Sequence, residues 1–222
     1  AQVKVGVITS ATGTTAFVGI PQKNTVALLP KKAGDLTIEY VVYDDASDPT
    51  QTVQLGKKLL SDHRIDALIG PSGSPNAMGL LHFVAEAGTP MLAPVGTAAV
   101  VLPMDAQKRW VFKTHPNDDV IAEGLIAAMT KRGVKTIGFI GSNDPYGENW
   151  DKTFAPMAEK AGIKVVANER YARTDTSVTG QVAKLISARP EAVLVAGVAA
   201  GAAMPHMQLV DAGFKGTIYH TH

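Results

Sequence analysis

Short β-branched runs alternate with longer segments of helical period along most of this chain, and that alternation restricts the possible folds more than any other feature. Residues 3–9, 36–43, 67–70 and 90–93 read as strands, and residues 21–32, 50–62 and 75–87 read as the helices between them. Asp48-Pro49 marks the start of the second helix. An Asp side chain accepts from the first free amides, and Pro suits a first helical position whose N–H is unpaired anyway. Such a rhythm predicts a parallel sheet with helices on both faces.

The rhythm lapses between Thr97 and Asn117, where Trp110 and Phe112 alternate and read as buried packing. It resumes with helices at 119–131, 148–161, 177–187 and 202–212, and strands at 136–140, 164–167, 192–196 and 217–219. The expected fold is therefore α/β: two doubly wound parallel-sheet lobes, the first over residues 1–117 and the second over 118–222.

Several function classes fall away on composition. A net charge of +1 leaves no electrostatic footprint for nucleic acid. The absence of cysteine excludes disulfides, thiolate metal sites and a cysteine nucleophile. The longest apolar stretch, residues 192–204, is shorter than the roughly 20 residues a bilayer requires. A chain that opens on Ala1-Gln2 without an initiator Met is expected to have lost a signal peptide.

Catalytic signatures are missing too. No GxGxxG follows the first strand and no GxxxxGK[ST] occurs, so no dinucleotide or P-loop cofactor is expected. Gly70-Pro71-Ser72-Gly73-Ser74 lacks the second glycine of a nucleophile elbow. Asp44, Asp45 and Asp48 read as a strand end, a polar turn and a helix cap in preference to a metal cluster. His220 and His222 read as strand-end residues of one face, and His63, His82, His115 and His206 show no ligand spacing.

In an open α/β sheet, ligands bind beyond the carboxyl ends of the strands, where helix N-termini direct free amides. Five loops fall at that edge: residues 10–19, 71–74, 94–97, 141–147 and 197–201. All are rich in small residues, four carry hydroxyls, and none carries Lys, Arg or His. A multiply charged phosphate recruits Arg or Lys, whereas a single carboxylate is held by hydroxyls and amides. The same residue types also serve as ordinary turn formers.

The strings VVYDDASDPTQTVQLGKKLL, DALIGPSGSPNAMGLL, AGTPMLAP, GFIGSNDPYGENW and DTSVTGQVAKL, in this order, resemble the periplasmic leucine/isoleucine/valine-binding proteins over essentially the whole chain. The resemblance implies the type I periplasmic-binding-protein fold and the non-enzymatic, extracytoplasmic, solute-binding component of an ABC importer. Such a component captures ligand in the cleft between two lobes by hinge closure. The implied partners are a small carboxylate and a membrane permease, and the implied state is a monomer.

Carried over residue by residue, Ser74 binds the ligand carboxylate. Thr97 offers its hydroxyl and amide, and the Val95 carbonyl accepts from the ligand. Tyr146, before Gly147, forms an aromatic lid. Ser72, Phe17, Val18 and Ala199 complete the expected contacts. Where relatives carry aromatics, this chain has Val18 and Val198-Ala199-Ala200. The pocket is therefore expected to be roomier and more apolar, fitting an aromatic or keto acid as well as a branched-chain amino acid. The family's ammonium-binding carboxylate would fall beyond His222, and a C-terminal part that returns to the first lobe is expected to be missing. The alternative is a ligand-sensing domain of a receptor or regulator with the same fold.

Overall fold

Two units divide the chain, Ala1–His115 and Pro116–His222. The computed structural model describes residues 1–221. In the first unit the order is β1 (Gln2–Thr9), α1 (Ala16–Val26), β2 (Lys32–Ala33), β3 (Leu36–Asp44), α2 (Pro49–Ser61), β4 (Ala67–Ile69), α3 (Ser74–Met78), α4 (Leu81–Glu86), β5 (Met91–Ala93) and β6 (Val111–Lys113). The sheet runs β2-β3-β1-β4-β5-β6, parallel except for the short antiparallel edge β2. In register, Thr9 pairs with Asp44 and Val7 with Ile69, so β1, β3 and β4 finish at nearly one level. β1 is flanked by β3 and β4, two parallel strands that lie later in the sequence. It therefore sits at the switch point, where an open sheet forms a crevice.

One face of this sheet carries the core. Ile8, Leu68, Met91, Ala93 and Val111 alternate inward and meet Leu59, Ala77, Leu80 and Val84 from the helices. The opposite face has α1 lying over Val7 and Ile69, while Val42, Leu92 and Phe112 remain 37%, 39% and 56% exposed.

The second unit comprises α5 (Asp118–Lys131), β7 (Thr136–Ser142), α6 (Pro145–Lys160), β8 (Lys164–Tyr171), α7 (Thr179–Ser187), β9 (Ala192–Ala196), α8 (Ala200–Asp211) and β10 (Thr217–His220). Its sheet is wholly parallel, in the order β10-β9-β7-β8. Ile137, Phe139 and Leu194 face one cluster with Trp150 and Phe154, and Ile140, Val193 and Val195 face another with Leu185 and Leu209. Every residue of β9 is buried, which explains why the sequence there is continuously apolar rather than alternating.

Local differences from the sequence expectation have local causes. The first helix begins at Ala16 and tolerates Pro21 in its second turn, so residues 30–33 turn back and form β2. The helix expected over 75–87 breaks at Gly79-Leu80. A side chain at Gly79 would stand 3.1 Å from Val53 Cγ2, so glycine lets α2 pack closely at the break. Phe112 lies in the three-residue β6 and points away from the core, and only Trp110, in a 3-10 turn before it, packs against the core cluster. Strand alternation therefore never applied to that pair.

At the switch point of each unit, the helix after the first strand rests on the backbone of that strand's end. A Cβ at Gly19 would lie 2.0 Å from the Ser10 carbonyl oxygen, and one at Gly147 would lie 1.9 Å from that of Ser142. Gly147→Ala is expected to destabilise the chain by about 3 kcal/mol or more, because neither backbone can yield cheaply. Gly124→Ala, in α5 with open space around it, should instead stabilise by up to about 1 kcal/mol. Urea denaturation of the two variants reads both signs.

Candidate functional site

The carboxyl edge of the first unit is organised by one buried side chain, Asp45, which follows β3. Its Oδ1 accepts from Ser10 Oγ at 2.7 Å and Ser47 N at 2.9 Å, and its Oδ2 accepts from Thr52 Oγ1 at 2.7 Å and Asn76 Nδ2 at 2.9 Å. Four donors converge on its two oxygens, two on each. They come from the loop after β1, the turn after β3, α2 and α3. The turn holds two successive residues in the left-handed region, Ala46 (φ 51°) and Ser47 (φ 64°). Each costs of order 1 kcal/mol or more outside glycine. Their amides are tied to Asp44 Oδ1 and Asp45 Oδ1, both at 2.9 Å, which offsets the strain. Asp48 caps α2 by accepting from Thr50 N at 2.7 Å.

Around this hub, Ser72 Oγ accepts from Ser10 N at 3.0 Å and donates to Gln22 Oε1 at 2.5 Å. Ser72, expected to touch ligand, is thus committed to bracing the loops after β1 and β4 and the helix α1. Ser74 and Thr97 are both buried and adjacent, Thr97 N reaching Ser74 Oγ at 3.4 Å. A contact of that length is weak and leaves the amide largely available. Thr97 Oγ1 also accepts from Ala99 N at 3.2 Å. The Val95 side chain belongs to the core cluster, so any contact it makes with ligand falls to its backbone. Phe17 is 83% exposed in the first turn of α1, while Val18 is half-buried. The aromatic face presented at this edge is therefore that of Phe17.

The edge of the second unit is built differently. Asp144 caps α6, accepting from Tyr146 N at 2.8 Å and Gly147 N at 3.2 Å, and its other oxygen accepts from Arg173 Nε. Burial pushes the Asp144 carboxyl up, but the hydrogen bond and charge of Arg173 with the two helix amides outweigh it and hold it below its ordinary 3.8. Tyr146 departs from the expectation of a lid. It is 2% exposed in the core cluster with Trp150, and its hydroxyl pairs with Thr221 Oγ1 at 2.7 Å. The reason is positional: the cap at Asp144 sets Tyr146 in the first turn of α6, with its ring turned into the core. Ala199, at φ 54°, caps α8 and is half-buried in the loop after β9. Tyr171 donates to the Gly201 carbonyl at 2.6 Å, and a Cβ at Gly197 would lie 2.3 Å from that hydroxyl. Burial raises the phenols of Tyr146 and Tyr171 above their ordinary value, so both act as neutral hydrogen-bonding groups.

The last residues of β1 and β7, Thr9 and Ser142, have buried hydroxyls that pair with no described group. Asp45 reads from sequence only as part of a polar turn, and Gln22, Asn76 and Arg173 are not singled out there. Arg173 escaped because β8 runs on to Tyr171 through the polar stretch Asn168-Glu169-Arg170, which hides the strand's true end. Among the described residues, no group of three His, Cys, Asp or Glu side chains is placed to hold a metal. No helix among them is long and apolar enough to cross a membrane. His222 lies outside the described residues.

Two variants follow from this geometry. Asp45→Ala removes the acceptor of four donors, three of them buried, and is expected to cost about 3 kcal/mol or more in urea unfolding. The Asp144 pKa is lower in the folded chain, so its stabilising contribution is present above 3.8 and is lost as pH falls through the folded-state value. Arg173→Gln, which removes the charge holding that carboxyl down, should move the acid-unfolding midpoint of the chain to higher pH.

The periplasmic binding protein family model matches residues 2–220. Among solved structures, an extracellular ligand-binding receptor from Rhodopseudomonas palustris HaA2 is 44% identical with a TM-score of 0.96, covering 99% of this chain and 61% of that one. A leucine-, isoleucine-, valine-, threonine- and alanine-binding protein from Pseudomonas aeruginosa is 28% identical over 172 residues, which is 75% of this chain and 45% of the relative. A solute-binding protein of an ABC transporter from R. palustris, in complex with 4-hydroxybenzoate, has a TM-score of 0.86 at 21% identity, a likeness of fold alone; it is covered over 61% of its length. The chain thus spans between about half and two thirds of the proteins it resembles.

Proposed function

The chain belongs to the periplasmic binding protein family, and we propose that it is the extracytoplasmic ligand-capturing part of an ABC importer, binding a small amphipathic carboxylate without turning it over. The observation that carries this reading is the meeting of Ser74 and Thr97 at the carboxyl edge of the first unit. Two buried hydroxyls and a weakly engaged amide lie together there, beside the switch-point strand and next to no lysine or arginine of their own loops. Hydroxyls and an amide suffice for one negative charge, and they would leave a phosphate dianion undercompensated.

An aromatic or branched keto acid is proposed ahead of leucine or valine, although one relative is named for those amino acids. The exposed ring of Phe17 offers a planar apolar body a partner, and Val18, Val198, Ala199 and Ala200 are smaller than the aromatics that the resemblance implies at those positions.

Thermal unfolding of the full-length protein against 4-hydroxybenzoate, phenylpyruvate, a branched keto acid, leucine and valine tests this. A ligand present at a hundred times its dissociation constant stabilises by about 2.7 kcal/mol. We expect a shift with an aromatic or keto acid that disappears in Ser74→Ala and Thr97→Val. A shift confined to leucine and valine would reverse the ligand class, and no shift with any carboxylate would remove the reading.

A further inference from the structure

We propose that Tyr171 is a positioning residue for ligand binding: its hydroxyl holds the tight turn of residues 198–201 in the conformation that meets the ligand, an inference that rests on the proposed binding function. The sheet order β10-β9-β7-β8 places the second unit's switch point between β7 and β9, so the loops after those two strands frame its crevice. Tyr171 ends β8, on the far side of β7 from β9. Its ring lies in one cluster with Ile140 of β7 and Val195 of β9, and its hydroxyl donates to the Gly201 carbonyl at 2.6 Å. Its own carbonyl accepts from Asn143 N, in the loop after β7, at 2.7 Å. One buried residue thereby fastens both loops of the crevice.

The turn after β9 depends on such a fastening. Gly201 N donates to the Val198 carbonyl at 3.1 Å and closes a four-residue turn, with Ala199 in its second position at φ 54° and ψ −131°. Those angles belong to the first central position of a type II′ turn, which glycine dominates because it has no Cβ to clash there. Another residue stays in such a conformation only where the surrounding structure imposes it. The bond from Tyr171 falls on Gly201, the last residue of the same turn. The hydroxyl reaches it past Gly197, where a Cβ would lie 2.3 Å from the phenol oxygen. Burial raises the pKa of the phenol, so the hydroxyl keeps the proton it donates.

Released from Tyr171, the turn relaxes toward negative φ at Ala199, and residues 198–200 leave the place where ligand meets them. Only the fraction of molecules with the turn in position then binds, and apparent affinity falls by that fraction.

Calorimetric titration of the full-length protein with 4-hydroxybenzoate, phenylpyruvate, a branched keto acid and leucine, in a double-mutant cycle, tests this. Tyr171→Phe, which keeps the ring and removes the hydroxyl, is expected to weaken binding about tenfold. In the Ala199→Gly background the same substitution should cost less than about threefold, because glycine takes the turn's conformation without the fastening. A residue that only supports the fold loses the same factor in both backgrounds. That result overturns the inference, as does unchanged affinity in Tyr171→Phe. Urea unfolding without ligand shows whether each variant is folded. If Tyr171→Phe does not fold, Gly197→Ala replaces it in the cycle, displacing the hydroxyl while the phenol stays. Wild-type protein that binds none of these carboxylates removes the binding function, and the inference with it; loss of the cycle's coupling in a protein that does bind removes the inference alone.

Discussion

The carboxylate of Asp45 is the interaction on which the first unit's functional edge depends. A buried carboxyl without a cation beside it is stable only if its oxygens are saturated by donors. Here the saturation comes from four separate segments, Ser10, Ser47, Thr52 and Asn76. Loops that would otherwise move independently are thereby fixed against each other: Ser10 brings the end of β1, Asn76 brings α3, and α3 begins at Ser74. The position of Ser74 relative to the switch-point strand is thus set by a group that never needs to touch ligand. Such preorganisation matters for a binding protein, because loops ordered in advance cost less when ligand arrives.

The second unit reaches the same topology with a different fastening. Its first strand also ends in a buried hydroxyl, and a glycine in the following helix also packs on the strand-end backbone. But the acid there, Asp144, is a helix cap paired to Arg173, and Arg170 beside it binds Glu148 and Asp151 at 2.7 and 2.8 Å. Neutral donors hold the first edge, and ion pairs hold the second. Salt therefore bears on the second unit's edge more than on the first's, since screening weakens charge pairs more than hydrogen bonds from neutral donors.

Much of this was legible in the chain, for identifiable reasons. The alternation of strands and helices read correctly as two parallel-sheet α/β lobes, because β1, β3, β7 and β9 carry strong β-branched runs and Asp48-Pro49 caps α2 as its sequence implies. β6 was missed because three residues carry no period, and the start of α1 was missed because Pro21 looked like a boundary. Ser74 and Thr97 were each picked out as a ligand contact, and the fold sets the two side by side. Ser72 and Tyr146 were picked out as ligand contacts, yet their hydroxyls are engaged by Gln22 and Thr221. No local pattern records such pairings. Gln22 lies 50 residues from Ser72 and Thr221 lies 75 from Tyr146, so only the fold brings them together. Asp45 was visible in its motif and was read as a turn residue, because spacing alone cannot show that four donors from elsewhere would aim at it.

Under the proposed reading, a ligand's single negative charge meets the hydroxyls of Ser74 and Thr97 and the Thr97 amide, neutral groups with fixed direction. Binding a carboxylate to such groups exchanges water hydrogen bonds for protein ones and avoids the large desolvation cost that a buried arginine would add on both sides. A phosphate dianion would find too few donors among these three groups. On this reading the number of charges on the ligand, more than its apolar body, would decide what the first unit's edge accepts.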